Sequence, residues 1–372
     1  MLSTLRDFWR RHRRKAFVTV GVLGSGYFLY KLYDAHRRKL AELERELADE
    51  REGERFIKAQ MQAHFENIQR IADTTTLPHA MHHLSSRIAE ELDLSQLLER
   101  LQNAKNQPNS LTHSEKIELW DRLKIISFTR MALSLWAMTM LSLYIRVQVN
   151  ILGRHLYIDT ARGFESSDFH ENADMIDRDD EQKFLASADF LSNYGLPALM
   201  SDMQAAATEI LKGKQLKDFF NSKVLHETIR QILDRFMSIG SPHHWVSYIM
   251  PEDARFDRLA TASSSDSKTL SDVTKFDQLM VETGAVLTSA EFGSVVDISL
   301  KAVLDALVVD MGARSGGSLT SGMPLAKLLS LVTQMGPLLL YEPSKNQFIQ
   351  IIQSDPEVEI FFTLLYANMP PS

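Results

Sequence analysis

The sequence predicts an all-α protein: an N-terminal membrane anchor followed by a large elongated helical bundle built around a long central apolar helix. Three observations lead there. Residues 16–30 (AFVTVGVLGSGYFLY) form an uncharged apolar run between basic flanks. Over most of the remaining chain, hydrophobic residues recur at three- and four-residue spacings, and no segment alternates with period two long enough to demand a sheet. A second uncharged run, residues 131–145 (MALSLWAMTMLSLYI), lies inside the longest helical pattern and reads as its core.

In chain order this gives four parts: a basic tail over 1–15, an anchor over 16–33, a charged stalk over 34–55 and a cytosolic bundle over 56–372. The anchor extends to Tyr33 if Lys31 turns its ammonium back toward the headgroups. At about 1.5 Å rise per residue the run spans roughly 22–27 Å, enough for a thin bilayer. Arg10, Arg11, Arg13, Arg14 and Lys15 precede it, Arg37, Arg38 and Lys39 follow it, and Phe8, Trp9, Tyr27, Tyr30 and Tyr33 supply interfacial aromatics. Gly21 and Gly24, with Ser25 and Gly26, make a smooth helix face on which a second anchor helix could pack. A cleaved signal peptide is the competing reading, but no small-residue cleavage site follows. Six cations before the anchor against four after it would put the N-terminus in the cytosol.

Charge separates the two ends of the chain. The net charge is -7, with ten Lys or Arg against Asp7 and Asp34 in residues 1–40, so the body beyond is strongly acidic. An acidic body with a basic tip argues against nucleic acid as a partner. The absence of cysteine removes disulfides, thiolate catalysis and Cys-ligated metals, and together with the lack of an Asn-x-Ser/Thr sequon suits a reducing compartment.

Beyond the anchor, Leu40, Leu43 and Leu47, then Ile57, Met61, Phe65, Ile68 and Ile71, mark helix from stalk into bundle. Pro78 can open a helix to about Leu92, and Asp93 can cap the next, which carries Leu94, Leu97, Leu98 and Leu101. Thr112 with Glu115 forms a capping-box signature, or Ser114 serves as cap, for a very long helix reaching about Leu152. The apolar run inside it could be a second membrane span. Its roughly 22 Å length, its tight bracketing by Arg130 and Arg146, and Ser134, Thr139 and Ser142 within it favour a helix buried in the bundle. An acidic loop over 163–180 follows, then helices near 181–194, 196–212, 215–239, 270–288, 290–311, 324–335, 344–353 and 356–368, with a Ser-rich linker over 261–268.

Enzymatic chemistry finds no constellation, and nothing calls for a cofactor. The stretch from Gly317 to Gly322 has the glycines of a phosphate loop, but Met323 and Pro324 stand where Lys and Ser/Thr are needed, so it reads as a Gly/Ser linker. His79, His82 and His83 lack a third metal ligand of evident spacing, so surface or capping histidines are the simpler account.

The segment from Lys116 to Arg130 (KIELWDRLKIISFTR), its continuation through Arg146-Val-Gln-Val-Asn150-Ile151 and Tyr157-Ile-Asp159, and the later Met250-Pro-Glu252 and Pro324-Leu-Ala-Lys327 resemble the peroxisomal biogenesis factor 3 family. The basic start and anchor fit the same pattern. The resemblance implies a peroxisomal membrane protein, single-pass, with a short tail on the matrix side and the bulk of the chain in the cytosol. It also implies a docking role: receiving peroxisomal biogenesis factor 19, the soluble receptor and chaperone of peroxisomal membrane proteins, and so supporting their insertion. In the family an amphipathic helix of that partner occupies a hydrophobic groove centred on a tryptophan that matches Trp120, with Lys116, Ile117, Lys327 and Leu98 matching neighbouring positions. The connection from Leu101 to Ser114 is longer than the family pattern. The residues agree in part: Leu119, Leu123 and Ile126 define one helix stripe, with Lys116 and Trp120 at its edge. From a different class, a lipid-binding or membrane-shaping structural protein would use the basic tip and an apolar patch.

Overall fold

The computed structural model describes residues 59–60, 62–106, 112–165, 178–240, 242–251 and 274–367. The chain divides into two units, Met1–His64 and Phe65–Ser372, and the architecture below belongs to the second. The tail, the anchor with Arg10, Arg11, Arg13, Arg14, Lys15, Gly21 and Gly24, the stalk and the Ser-rich linker lie outside the described residues.

The described fold is all-α, and a long apolar helix is its centre. Residues 65–71 are helical and continue through a π-helical turn, Ala72–Thr76, into α1, Leu77–Glu91. Pro78 therefore sits within a continuous helical run and does not open a separate helix. It brings no N–H, and its ring crowds the carbonyl four residues back; the widened turn just before it accommodates both. The same solution recurs where the π turn Leu191–Gly195 precedes Pro197. Helix α2, Ser95–Asn106, is capped as expected, with Asp93 Oδ1 accepting from the Ser95 amide at 2.9 Å and from its hydroxyl at 2.7 Å.

Helix α3, His113–Glu165, runs 53 residues, about 80 Å at helical rise, and continues beyond Leu152 into the region expected to be loop. Thr112, not Ser114, is its cap. Glu115 accepts from the Thr112 amide at 2.7 Å, and the Glu115 amide donates to the Thr112 hydroxyl at 3.3 Å. Every residue of 131–145 is 0% exposed, enclosed by protein. Length and apolarity would let this helix cross a membrane; its surroundings make it the core.

The remaining helices are α4, Arg178–Ala186; α5, Leu196–Leu211; α6, Ser222–Met237; α7, Lys275–Leu287; α8, Ala290–Arg314; α9, Leu325–Leu339; α10, Gln347–Gln353; and α11, Pro356–Ala367. They pack around the central portion of α3. Trp136 packs edge-on against Phe236 of α6 at 5.3 Å and against Tyr248 at 6.2 Å. Gln148 donates to the Phe184 carbonyl of α4 at 2.8 Å, and Arg146 lies over the Phe362 ring of α11 at 4.5 Å. Arg154 pairs with Glu282 of α7 and donates to the Leu365 carbonyl at 3.1 Å.

Two local expectations change. The helix expected from 215 begins at Ser222, because Asn221 caps it by accepting from the Val224 amide at 2.9 Å. Ahead of it a two-residue strand β1, Phe219–Phe220, pairs antiparallel with β2, Met323–Pro324. The Gly/Ser stretch is also more than a linker: Gly317 and Gly322, at φ 80° and 95°, bracket a single helical turn, Ser318–Ser321, that buries Leu319 completely.

Candidate docking surface

The first turns of α3 differ from the rest of it because fewer elements cover them. Leu94, just ahead of α2, and Leu97 of α2 pack on Leu119 and Leu123 of α3 as a small buried cluster, with Leu101, Trp120 and Ile126 partly buried against it. Trp120 therefore has one face on protein and the other toward solvent. Ile117, one turn earlier, is 47% exposed, and Leu98 on α2 is 45% exposed. Lys116 is half-buried. The capping box fixes the helix start, and the Thr112 amide and hydroxyl hold the Glu115 carboxyl below its usual range.

Two clefts flank this end of α3. One, of about 530 Å³, lies between α2, α3 and α9, with Ser95, Leu98, Arg130, Thr333 and Gln334 among its walls. Burial lowers the Arg130 pKa, and the nearby Asp93 charge works against that shift. The other, of about 500 Å³, lies between α3 and the turn after α5, and includes Ile117, Asp121, Lys124, Lys214, Leu216 and Lys217. Lys124 is 5% exposed; its ammonium donates to Asp121 Oδ1 at 3.0 Å and to the Lys214 carbonyl at 2.8 Å.

That turn also holds the start of α9. The Leu216 and Asp218 carbonyls accept from the Ala326 and Leu325 amides, each at 2.9 Å. Farther along, a Cβ on Gly336 would stand 3.0 Å from Arg130 Cγ and 3.4 Å from Ser134 Oγ. Helices α9 and α3 thus run alongside in the same direction, and the exposed Lys327 sits in the first turn of α9, beside the turn that Lys124 supports.

Of the five positions singled out, Lys116, Ile117 and Trp120 share the first turns of α3. Leu98 is on the helix packed against them, and Lys327 is joined to them through the 213–218 turn. Leu98 and Ile117 line different clefts, and Trp120 lines neither. Lys124, Lys214 and Lys217 escaped the reading of the sequence. Their signal was available: Lys124 stands three residues after Asp121 and four after Trp120, and 212–217 reads KGKQLK. Among the histidines, His83 Nδ1 lies 3.6 Å from Asp189 Oδ1.

These features define an all-α protein organised on one buried spine, with apolar side chains half-covered at the spine's N-terminal end. Comparison with known sequences makes the class specific. The Peroxin-3 family profile matches residues 7–115 and 104–368. The chain is 59% identical over 371 residues to Peroxisome biogenesis protein 3-2 of Arabidopsis thaliana, covering 99% of this chain and all of the relative. It is 28% identical over 392 residues to Peroxisomal biogenesis factor 3 of Rattus norvegicus and 27% over 391 residues to that of Homo sapiens, in each case covering 98% of this chain and 97% of the relative. The chain belongs to the Peroxin-3 family. Membership carries a role in peroxisome biogenesis and association with the peroxisomal membrane.

Proposed function

We propose that this protein is the docking receptor for peroxisomal biogenesis factor 19 at the peroxisomal membrane, supporting insertion of membrane proteins. In this reading residues 16–33 are a single-pass anchor, the tail 1–15 faces the matrix and the bundle faces the cytosol. The observation that carries the proposal is the apolar surface at the start of α3, where Trp120 is half-buried on the Leu94–Leu97–Leu119–Leu123 cluster, with Ile117 exposed one turn earlier and Leu98 exposed on α2. An amphipathic partner helix laid there would cover these side chains and complete Trp120's burial, in the helix-in-groove mode. Aromatics in such positions concentrate binding energy, and loss of one typically costs about 2–4 kcal/mol, or roughly 30- to 1,000-fold in affinity.

The test is partner binding and thermal unfolding measured on the same Trp120→Ala preparation. Lost binding with an unchanged melting transition supports the reading. A large fall in melting temperature would make Trp120 a core residue and remove the argument. Truncating Lys116 or Lys327 should act mainly on association rate and salt dependence, as rim cations do.

A further inference from the structure

The cleft beside Ile117 is lined by three lysines, Lys124, Lys214 and Lys217, against one carboxylate, Asp121. The turn between α5 and β1 reads Lys212-Gly-Lys-Gln-Leu-Lys217, and Lys327 is the only charged residue from 315 to 341. The turn is built rather than loose. Gly213 turns the chain at φ 84°, Lys124 holds the Lys214 carbonyl from below, and the Gln215 amide donates to Asp218 Oδ2 at 2.7 Å. The two backbone bonds to Leu325 and Ala326 fix its far side. The Lys214 ammonium lies 5.6 Å above the Phe220 ring, while Lys212, Lys217 and Lys327 stand in solvent. Among the described residues none of these four is paired with a carboxylate. Two acids of this neighbourhood already have partners, Asp121 in Lys124 and Asp218 in the Gln215 amide.

This local surplus of cations, Lys214 and Lys217 once Lys124 is set against Asp121, is contrary to the balance of a chain whose net charge is -7. It creates a local positive potential that a nearby anion would neutralise. The cleft it rims is concave, with Ile117 and Leu216 in its walls, so it can seat side chains as well as charge. Ile117 also makes it continuous with the apolar surface at Trp120.

We propose that this cleft receives an acidic segment of the docking partner, next in sequence to the amphipathic helix that covers Leu98, Ile117 and Trp120. The inference rests on the docking reading above and adds the chemistry of the partner's flank. Lys214 and Lys217 meet its carboxylates, and Lys124 sets the height of the turn that presents them. A peptide fits better than an anionic bilayer, because the site is a recess with few cations on an acidic body, which a charged membrane would repel.

The test uses the full chain in detergent micelles and purified peroxisomal biogenesis factor 19 as the probe, with wild type, Trp120→Ala and the double variant Lys214→Gln/Lys217→Gln compared. At about 50 mM salt the double variant should bind about 3- to 10-fold more weakly, chiefly through slower association, with the difference fading above about 0.5 M. Its melting transition should be unchanged, and Lys214→Arg/Lys217→Arg should restore the salt dependence. The partner should also protect Lys217 from an amine-acetylating reagent. If Trp120→Ala loses binding while the double variant matches wild type at every salt concentration, the acidic-flank inference is overturned and the docking reading stands. If wild type does not bind the probe, both fall. Protection of Lys217 on reconstitution into liposomes with about 30% phosphatidylserine, without the partner, would assign the cleft to the membrane and also overturn the inference.

Discussion

Replacing Leu135 tests whether the apolar run of α3 is core. Leu135 is 0% exposed, its carbonyl accepts from the Thr139 hydroxyl at 2.9 Å, and the adjacent Trp136 is locked against Phe236 and Tyr248. Leu135→Ala would leave a void with little room to collapse, because α9 is already in close contact at Gly336 and the Trp136 cluster is fully occupied. Buried Leu→Ala changes cost about 2.7–5 kcal/mol, and this site belongs in the upper half, near 4 kcal/mol. Leu135→Asp adds the cost of an unpaired carboxyl, which would protonate rather than remain charged, and approaches the whole stability of an ordinary domain, about 5–15 kcal/mol. The measurement is urea unfolding of residues 41–372 purified without detergent. Leu135→Ala should lower the midpoint by about 1 M or more, and Leu135→Asp should leave little cooperative transition. A body that needs detergent to stay in solution, or a Leu135→Asp variant as stable as wild type, would refute the core reading and return the run to lipid.

Other expectations follow from single contacts. A Cβ at Gly195 would fall 2.7 Å from the Tyr248 carbonyl carbon and closer still to its oxygen, so Gly195→Ala should destabilise by about 1–3 kcal/mol or more. Gly293→Ala, with nothing within 4 Å in the first turn of α8, should stabilise by about 0.5 kcal/mol; the opposite order by calorimetry would discredit this packing. The Glu115 carboxyl, held low by Thr112, contributes stability that is complete above its ordinary value of 4.5 and is lost as pH falls through the lower folded value. Glu115→Gln should flatten that part of the acid limb in a pH series of melting temperatures, and an unchanged limb would count against the cap. Residues 1–40 fused to a reporter should place it in the peroxisomal membrane; a reporter that alkaline carbonate extracts would count against the anchor.

Features written in local chemistry were legible in the sequence. The caps at Asp93 and Thr112 each follow from a short polar side chain placed just ahead of a periodic apolar pattern. The uncharged run of α3 could have been core or a second membrane span from its apolarity, and its short length and interspersed Ser134, Thr139 and Ser142 pointed to the core that the structure shows. What could not be read depends on distant partners. Residues 215–221 have helical composition, yet the pairing of Phe220 with Met323 and the two amides of α9 outcompete it. Pro78 looked like a beginning because a π turn that absorbs a proline has no sequence signature. At the candidate site, the resemblance supplied Trp120 and its neighbours, whereas Lys124 and Lys214 come together across 90 residues, through a side chain reaching a carbonyl. No pattern along the chain encodes that contact.

The proposed docking surface and the core are two portions of one helix, and this has a consequence for binding. From Phe128 to Leu152 α3 is almost entirely buried; near its start, among the described residues, α2 closes against it with an apolar cluster, while Ile117 stays exposed and Trp120 partly buried. An isolated helix end with exposed apolar residues would fray, but this one is held by the Thr112–Glu115 box, by the tie from Lys124 to the Lys214 carbonyl, and by the rigidity of the spine beyond. The surface is therefore ordered before any partner arrives, so little binding energy is spent on ordering it and more appears as affinity. The arrangement also separates the two effects of mutation. In the docking reading, removing a side chain that projects from the first turns should leave the spine's packing intact and weaken docking alone, whereas cutting into 131–145 withdraws the support on which those turns depend and should weaken docking and folding together.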